Sequence, residues 1–275
     1  GVFMRRMVME ARLACSRRPR HLAAMQTLSF NTNRAPVLFI ADLHLDPARP
    51  EAMTAFLAFA RGQAREAAAL FILGDLFEAW IGDDARPPDE PVSPALKALT
   101  AGGTDVFLMH GNRDFLLGDD FCDAAGATRL EEPAIVHLDD EPVLLEHGDA
   151  LCIDDVAYQA FRAQVRDPAW QAGFLALPIE ERLRQAQAAR TRSGEAMADK
   201  TETIMDVNSN AVAQRLRDWQ ARRLIHGHTH RPAIHEFTLD GQPATRIVLG
   251  DWFEQGSVLR VEDGRTALES LAFGG

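Results

Sequence analysis

Leu224-Ile225-His226-Gly227-His228-Thr229-His230-Arg231-Pro232 is the stretch that decides how this chain is read. An apolar approach leads into two imidazoles, His228 and His230, two positions apart, and a proline closes the run. A chain leaving a strand can aim both rings into one cleft if its backbone turns between them. Taken alone, a His-x-His is more often a surface loop with spare histidines. A metal-binding reading needs further donors at the ends of similar strands upstream, and the sequence supplies them.

Working back, Val143-Leu144-Leu145-Glu146 runs into His147-Gly148-Asp149, and Val106–Met109 ends at His110-Gly111-Asn112-Arg113-Asp114. Leu70–Leu73 ends at Gly74-Asp75, and Val37–Ala41 stops at Asp42-Leu43-His44. Each short, bounded apolar run reads as a buried strand. Between them, residues 51–69 carry Met53, Phe56, Leu57 and Phe59-Ala60 at helical spacing, and Pro94 to Thr100 reads as a short helix closed by Gly102-Gly103. The proline- and acid-rich residues 85–94 read as a loop. Strand, polar residue, helix, repeated three times, predicts an α/β layered core with polar groups gathered at the carboxyl ends of the strands. Arg246–Leu249 and Ser257–Val261 supply closing strands, and Ile153 to Asn210 is helical in composition with no strand.

The donors so collected are Asp42, His44, Asp75, Asn112, His147, His228 and His230. They are carboxylate, imidazole and amide groups without a thiolate, a set suited to Mn²⁺, Fe²⁺ or Zn²⁺ rather than to a structural cysteine zinc site. Seven donors are too many for one ion. They suffice for two if one carboxylate bridges, with Asp75 the natural bridge, and such pairs clamp both oxygens of a displacement at phosphorus. D-x-H, Gly-Asp and isolated Asn or His are each common by chance; their order, each behind an apolar strand, is not.

Asp42-x-His44, Gly74-Asp75, Gly111-Asn112, His147-Gly148 and Gly227-His228-x-His230 resemble the calcineurin-like metallophosphoesterase superfamily. The resemblance implies a four-layer αββα sandwich, with Asp42, His44, Asp75 and His230 on one metal and Asp75, Asn112, His147 and His228 on the other. ADLHL at 41–45, GDLFEAWIGDD at 74–84, HGNRDFLLG at 110–118, EHGDALCIDD at 146–155, IMDVN at 204–208 and IHGHTHRP at 225–232 narrow it. Over about residues 36–260 they resemble the diphosphatases that cleave UDP-2,3-diacylglucosamine in lipid A synthesis. That similarity implies two Mn²⁺ per chain and water attack at the α-phosphorus, releasing UMP and 2,3-diacylglucosamine 1-phosphate. It also implies a catalytic role for Asp75, Asn112, Arg113 and His228, and a peripheral place on the cytoplasmic side of the bacterial inner membrane.

One departure from the wider superfamily supports the narrower family. Most of its phosphatases carry histidine directly after the metal-binding asparagine, where this chain has Arg113. Arginine does not give up its proton in a protein and makes a poor general acid, but it grips phosphate well. A leaving group that is itself a phosphate monoester needs little protonation, so Arg113 suits cleavage of a diphosphate.

Residues from about 153 to 207 interrupt the donor series, so they can sit over the cleft as a helical cap. Tyr158, Phe161, Trp170, Phe174, Leu175 and Leu177 alternate there with Arg162, Arg166, Arg182, Arg184, Arg190, Arg192 and Lys200. Ordinary amphipathic helices with solvated arginines would give the same pattern; over a cleft, the apolar residues would hold acyl chains and the basic face anionic headgroups. The family similarity implies that Asp155, Ser193, Met197 and Lys200, with Asn112, Arg113 and His228, contact the glucosamine-phosphate part of the substrate. Met197 departs from relatives that carry a polar residue there, which puts one sugar or amide contact in doubt. Two other readings stay open: a nucleotide pyrophosphatase acting on soluble substrates, which has no use for an apolar cap, and a non-catalytic scaffold, which should have lost donors.

Among the remaining candidates, Glu78, Asp83, Asp84 and Asp149 are placed to orient imidazoles or to end turns and helices. His110 and His226 read as packing or supporting residues, His137 and His235 as surface, and Trp80, Trp219 and Trp252 as packing. Cys122 and Cys152 read as buried small apolar groups without a basic neighbour to activate them.

The 275 residues suffice for one large domain or two small ones, and 47% hydrophobic with 25% charged is ordinary for a soluble globular protein. The net charge of -11 argues against nucleic-acid binding. It leaves room for an anionic, lipid-linked UDP-sugar, because divalent cations invert the local field. Three cysteines without a C-x-x-C pair argue against a disulfide framework. No apolar run is long enough to span a bilayer, so any membrane contact would be at the surface, and nothing calls for an obligate protein partner. Residues 1–34 hold Arg5, Arg6, Arg12, Arg17, Arg18, Arg20 and Arg34 against Glu10 alone. They read as a poorly ordered basic extension ahead of a catalytic domain over 35–275.

Overall fold

The structure, a computed structural model, describes residues 28–198 and 206–273. Two six-stranded sheets lie face to face. The first has the order β12-β11-β2-β3-β4-β5 and the second β1-β6-β7-β8-β10-β9. In the first, β2 (Val37–Ile40), β3 (Ala69–Leu73), β4 (Asp105–Met109) and β5 (Thr128–Leu130) run parallel, and β11 (Gln255–Glu262) and β12 (Arg265–Ala272) add antiparallel strands at β2's side. In the second, β7 (Glu141–Leu145), β8 (Arg223–His226) and β10 (Gln242–Val248) are parallel, flanked by β9 (Ala233–Leu239) and by β6 (Ala134–Leu138) with β1 (Leu28–Phe30).

Alternation along each central strand sorts its side chains into two cores, because successive residues face opposite sides of a sheet. From β2 and β3, Leu38, Ile40, Leu70 and Ile72 pack under α1 (Pro50–Arg61), α2 (Val92–Ala101) and α3 (Asp119–Ala125). Val37, Phe39, Ala69, Phe71 and Leu73 face the second sheet and meet Val143, Leu145, Ile225 and Ile247. Leu144 and Leu224 point the other way, onto Val212 and Leu216 of α7 (Ser209–Asp218). Helix, sheet, sheet and helix layers result, the αββα sandwich. Between the sheets Phe39, Phe71 and Phe107 stack in series, with centroids 5.0 and 4.7 Å apart.

The long segment after β7 forms α4 (Val156–Val165), α5 (Pro168–Leu175) and α6 (Ile179–Ala198). Asp155 and Asp167 cap the first two, their carboxylates accepting from the Tyr158 and Trp170 amides, as N-cap residues do. The predicted helix over 51–69 stops at Arg61, where Gly62 breaks it ahead of a 3-10 turn. Sequence periodicity misses β1, β5, β6, β9 and β12, whose apolar alternation is short or broken by polar residues.

The proposed boundary at residue 34 is corrected. Residues 28–34 belong to the sandwich: β1 pairs with β6, and Thr32 is fully buried. The Thr32 amide donates to Asp139 Oδ1 at 2.8 Å and its hydroxyl to Asp139 Oδ2. Its carbonyl and hydroxyl oxygens accept from the Asp263 and Gly264 amides of the β11–β12 turn. Thr32 therefore ties a turn of one sheet to a turn of the other. Residues 1–27 of that extension lie outside the described residues. Trp219, expected to pack, is 40% exposed at the end of α7.

A truncation removing residues 1–34 should be less stable in urea than one removing 1–27, by about 2 kcal/mol or more. Hydrogen bonds to a charged group contribute roughly 1.5–3 kcal/mol each. Equal midpoints would show that the Thr32–Asp139 tie contributes nothing.

Candidate metal centre

All seven predicted donors gather at the carboxyl ends of β2, β3, β4, β7 and β8. The backbone turns sharply as it leaves each strand. Asp42, His44, Asp75, His228 and His230 all have positive φ, between 48° and 69°, a region that non-glycine residues occupy uncommonly and at a cost. The glycines beside them answer a second need, close approach. A Cβ on Gly111 would lie 2.0 Å from Asp75 Oδ1, and one on Gly227 2.3 Å from Asp42 Oδ2.

The donor atoms form two half-sites. Those of Asp42, His44 and His230 lie within 4.8 Å of one another, as do those of Asp42, Asp75 and His147. His44 Nε2 stands 3.3 Å from His230 Nε2, and Asp42 Oδ1 3.4 Å from the latter. Across the cleft, Asn112 Oδ1 lies 2.9 Å from His147 Nε2 and 2.8 Å from His228 Nδ1. Asp75 Oδ2 sits between the halves, 3.7 Å from His44 Nε2 and 3.8 Å from His147 Nε2. Donors around an ion held at ~2.0–2.2 Å stand roughly 3–3.5 Å apart, close to the spacing found.

Tautomers sharpen this fit. His147 Nδ1 donates to the Leu73 carbonyl at 2.9 Å, so in the neutral ring Nε2 is an acceptor facing the Asn112 oxygen, itself an acceptor; either a proton or a cation must lie between them. His44 Nδ1 lies 3.1 Å from Glu78 Oε2 and His230 Nδ1 3.6 Å from Asp251 Oδ2, neither as a hydrogen bond, and with both rings neutral and protonated on Nδ1 their Nε2 lone pairs would face each other at 3.3 Å. Acceptor against acceptor is the arrangement a cation resolves. Asp42 Oδ1 is also buried without a hydrogen bond.

The electrostatics carry the same conflict. Burial works against a charge on Asp42, yet the contact with His230 and the charges of His147, His230 and His44 hold its carboxyl at about 2. Burial pushes Asp75 up to about 6, against the pull of His147 and His44. His147 is raised to about 9: burial opposes its charge, but Asp75, Asp42, Asp149 and Glu132 outweigh it. Burial, and then the charge of His147, drives the neighbouring His228 down to about 3. Divalent cations would balance these carboxylates without requiring buried imidazolium.

The calcineurin-like phosphoesterase family model matches residues 35–232. A UDP-2,3-diacylglucosamine hydrolase of Stenotrophomonas maltophilia is 51% identical over 243 residues, 86% of this chain and 98% of the relative. Hydrolases of the same name from Chromohalobacter salexigens and Xanthomonas axonopodis pv. citri are 52% and 51% identical, over 82% and 86% of this chain and 93% and 98% of theirs. This chain belongs to the calcineurin-like phosphoesterase family. A dinuclear metal site is the family's common feature, and the donor set here suits one.

Around the donors of this phosphoesterase runs a layer that sequence reasoning saw only in part. Of the candidate orienting acids, Glu78 alone touches an imidazole, that of His44. Asp83 instead accepts from Trp80 Nε1 and the Gly118 and Phe121 amides, and Asp84 pairs with Arg182. Asp149 accepts from the Tyr158 hydroxyl at 2.7 Å and Arg162 Nε at 2.8 Å, and the Tyr158 ring lies 5.9 Å from that of His228. Glu132, missed entirely, accepts from the His147 amide at 2.7 Å. His226 is buried, and His110 donates to the Leu117 carbonyl. Cys122 and Cys152 are buried, their thiols pushed by burial up to about 12.

Asp114 is the main omission. It is buried, and its carboxylate accepts from the Leu76 and Gly111 amides at 2.8 Å each and, at longer range, from those of Asp75 and Phe77. One side chain thus sets the Gly-Asp and Gly-Asn loops against each other. The D in HGNRD was the available signal, but nothing in the sequence separates it from a turn aspartate.

The substrate contacts implied by family similarity distribute unevenly. Asn112 and His228 lie in the centre, Arg113 beside it and Asp155 at the start of α4. Ser193 and Met197 fall in the last two turns of α6, and Lys200 lies outside the described residues.

Asp114→Ala would strand buried N–H groups. It should lower stability by about 2–4 kcal/mol and metal affinity by about 10–100-fold, read by thermal melting and by equilibrium dialysis of Mn²⁺. Unchanged metal affinity would show that the two loops hold their places without Asp114.

Proposed function

We propose that this chain hydrolyses UDP-2,3-diacylglucosamine at the α-phosphorus, giving UMP and 2,3-diacylglucosamine 1-phosphate, with two Mn²⁺ as cofactor. The observation that carries the reading is Asp75 Oδ2 between two half-sites of donors, in a chain half identical to hydrolases of that name over nearly their full length. One half-site is assigned Asp42, His44, Asp75 and His230; the other Asp75, Asn112, His147 and His228. When bound, the ion pair supplies Lewis acidity toward water and the phosphate oxygens.

The chain's own residues do the rest. Arg113 is assigned to the diphosphate. Its Nε is buried without a hydrogen-bond acceptor, so a phosphate oxygen would satisfy it while offsetting charge that develops in the transition state. Its main-chain amide donates to Asp75 Oδ1 at 2.7 Å and leaves Oδ2 to the half-sites. The Leu73 carbonyl fixes the ring orientation of His147, and Glu78 sets its carboxylate 3.1 Å from His44 Nδ1. The acylated sugar is assigned to the cap, through Asp155, Ser193, Met197 and Lys200 beside Asn112, Arg113 and His228.

Two features of the cap bear on its lipid. Trp170, Phe174 and Leu177 pack against the sandwich core, but Phe161, Leu175, Ile179 and Leu183 remain about 40–46% exposed. That exposed set fits acyl chains and contact with the membrane surface, on its cytoplasmic side. No helix among the described residues is long and apolar enough to cross a membrane. Four of the cap's arginines among the described residues are engaged by the sandwich rather than left as a free basic face. Arg162 pairs with Glu132 and Asp149, Arg182 with Asp84, Arg190 with Glu78, and Arg166 donates to the Gly111 carbonyl.

Purified protein should turn over the acylated UDP-sugar with Mn²⁺, lose that activity with chelator, and act far less on the deacylated sugar. Equal rates on both sugars would move the reading to soluble nucleotides. Asp75→Asn should lower kcat at least ~10³-fold, about 4 kcal/mol of transition-state stabilisation; near-wild-type turnover and metal content would refute the bridging assignment. Arg113→His should be slower on the diphosphate than the parent, and a faster variant would remove Arg113 from its assigned role.

A further inference from the structure

A cavity of about 420 Å³ opens beside the His44–His230 half of the centre, between the loop after β10 and strand β12. The reaction as assigned above does not use it. Phe253 forms one wall. Its ring, 47% exposed, stacks on His44 at 5.3 Å and 10° and lies 5.4 Å from His230. Asp251, another lining residue, reaches His230 Nδ1 at 3.6 Å. Two wall residues, Phe253 and Asp251, thus also border the His44 and His230 imidazoles.

From this placement we propose that the cavity is the nucleoside subsite, which takes the uridine of the substrate and of the UMP product. The inference rests on the function proposed above. A diphosphate cleaved at the centre has two arms, and α4 stands over the opposite half, with Tyr158 against His228 and Arg166 on Gly111. The arm that does not enter the cap leads past His44 and His230 into this space.

Its lining matches a neutral, hydrogen-bond-donating group. Asp251, Glu254 and Glu269 put three carboxylates around it, which repel a phosphate but accept from ribose hydroxyls and an imide N–H. Glu269 already accepts from Gln63, which fixes its place in the wall. The Gln255 side chain offers both a donor and an acceptor, the pair that the N3–H and a carbonyl of uracil require. Phe253, stacked on His44 and with the Arg49 guanidinium 4.4 Å over its ring, offers its exposed edge as apolar surface for a base. The volume falls within the ~300–1,000 Å³ of small-molecule sites.

The test is equilibrium dialysis of labelled UMP against the Mn²⁺-loaded full chain. Gln255→Ala and the cavity-filling Ser270→Trp should each weaken UMP binding tenfold or more and raise KM for the acylated UDP-sugar. Mn²⁺ content and affinity for 2,3-diacylglucosamine 1-phosphate should stay as in the parent. Phe253→Ala should weaken UMP in the same way, and Phe253→Tyr should restore it. UMP affinity within twofold of the parent in both Gln255→Ala and Ser270→Trp, or no UMP binding by the parent, would overturn the inference. A chain that hydrolyses the acylated UDP-sugar while these variants change nothing refutes the cavity alone. A chain that binds UMP through these residues but leaves that sugar intact refutes the proposed reaction alone.

Discussion

Asp75 is a carboxylate with almost no access to water, set between two pairs of imidazoles. A charge so placed is tolerable only if compensating charge is fixed nearby, since desolvation alone costs several kcal/mol per ion. The compensation must arrive from five separate strand ends, and most of those ends are held in an unfavourable backbone conformation. Positive φ at a non-glycine residue costs of order 1–3 kcal/mol and persists only where surrounding structure over-determines it. Five such residues cluster here. The strands that deliver them are accordingly among the most buried in the molecule, every residue of β2 and β3 lying inside. The ladder of Phe39, Phe71 and Phe107 clamps the three adjacent parallel strands on the face toward the second sheet. Rigidity of the apolar cores is thus the condition for the polar centre.

The cap obeys the same economy of charge. Arg162, Arg182 and Arg190 meet acids of the sandwich, and several of those acids lie next to the donors: Glu132 under the His147 amide, Asp149 two residues on, Glu78 against His44. Arg162 bridges Glu132 and Asp149 in one reach. Docking of the cap and orientation of the donors therefore share residues. The acidic net charge of the chain reads differently in this light: Glu78, Glu132 and Asp149, beside the donors, are matched by guanidinium groups, whereas Asp42 and Asp75 face only imidazoles.

The donors were legible because each follows an apolar run of strand length, so period and punctuation point at them without any contact information. His228 and His230 show how far that goes: their spacing aims both rings into one cleft only if the backbone turns between them, and both adopt left-handed φ. The supporting layer was legible only where it sits beside a donor, as Asp149 does. Asp114 and Glu132 act across 38 and 15 residues respectively, on backbone amides, and amide partners leave no trace in a one-dimensional pattern. The edge strands failed for a related reason. β12 and β9 alternate around polar residues because one face meets solvent, and β1 is three residues long, so neither hydrophobic run nor period identifies them. The cap's arginines looked solvated from spacing alone; only the fold shows which acids they reach.

Arg113 joins these threads. What the centre requires of position 113 structurally is its amide, which holds Asp75 Oδ1. Any residue but proline supplies that bond, so the side chain is free to follow the chemistry. Asn112 before it and Asp114 after it have no such freedom, the one because its oxygen faces two imidazoles, the other because its carboxylate gathers several amides. A position fixed in the backbone and unconstrained in the side chain, between two neighbours that cannot change, is where related phosphoesterases can diverge in leaving group without rebuilding the centre. Here the side chain is a guanidinium with a buried nitrogen lacking an acceptor, and in the function proposed above a second phosphate of the substrate would pair with that guanidinium.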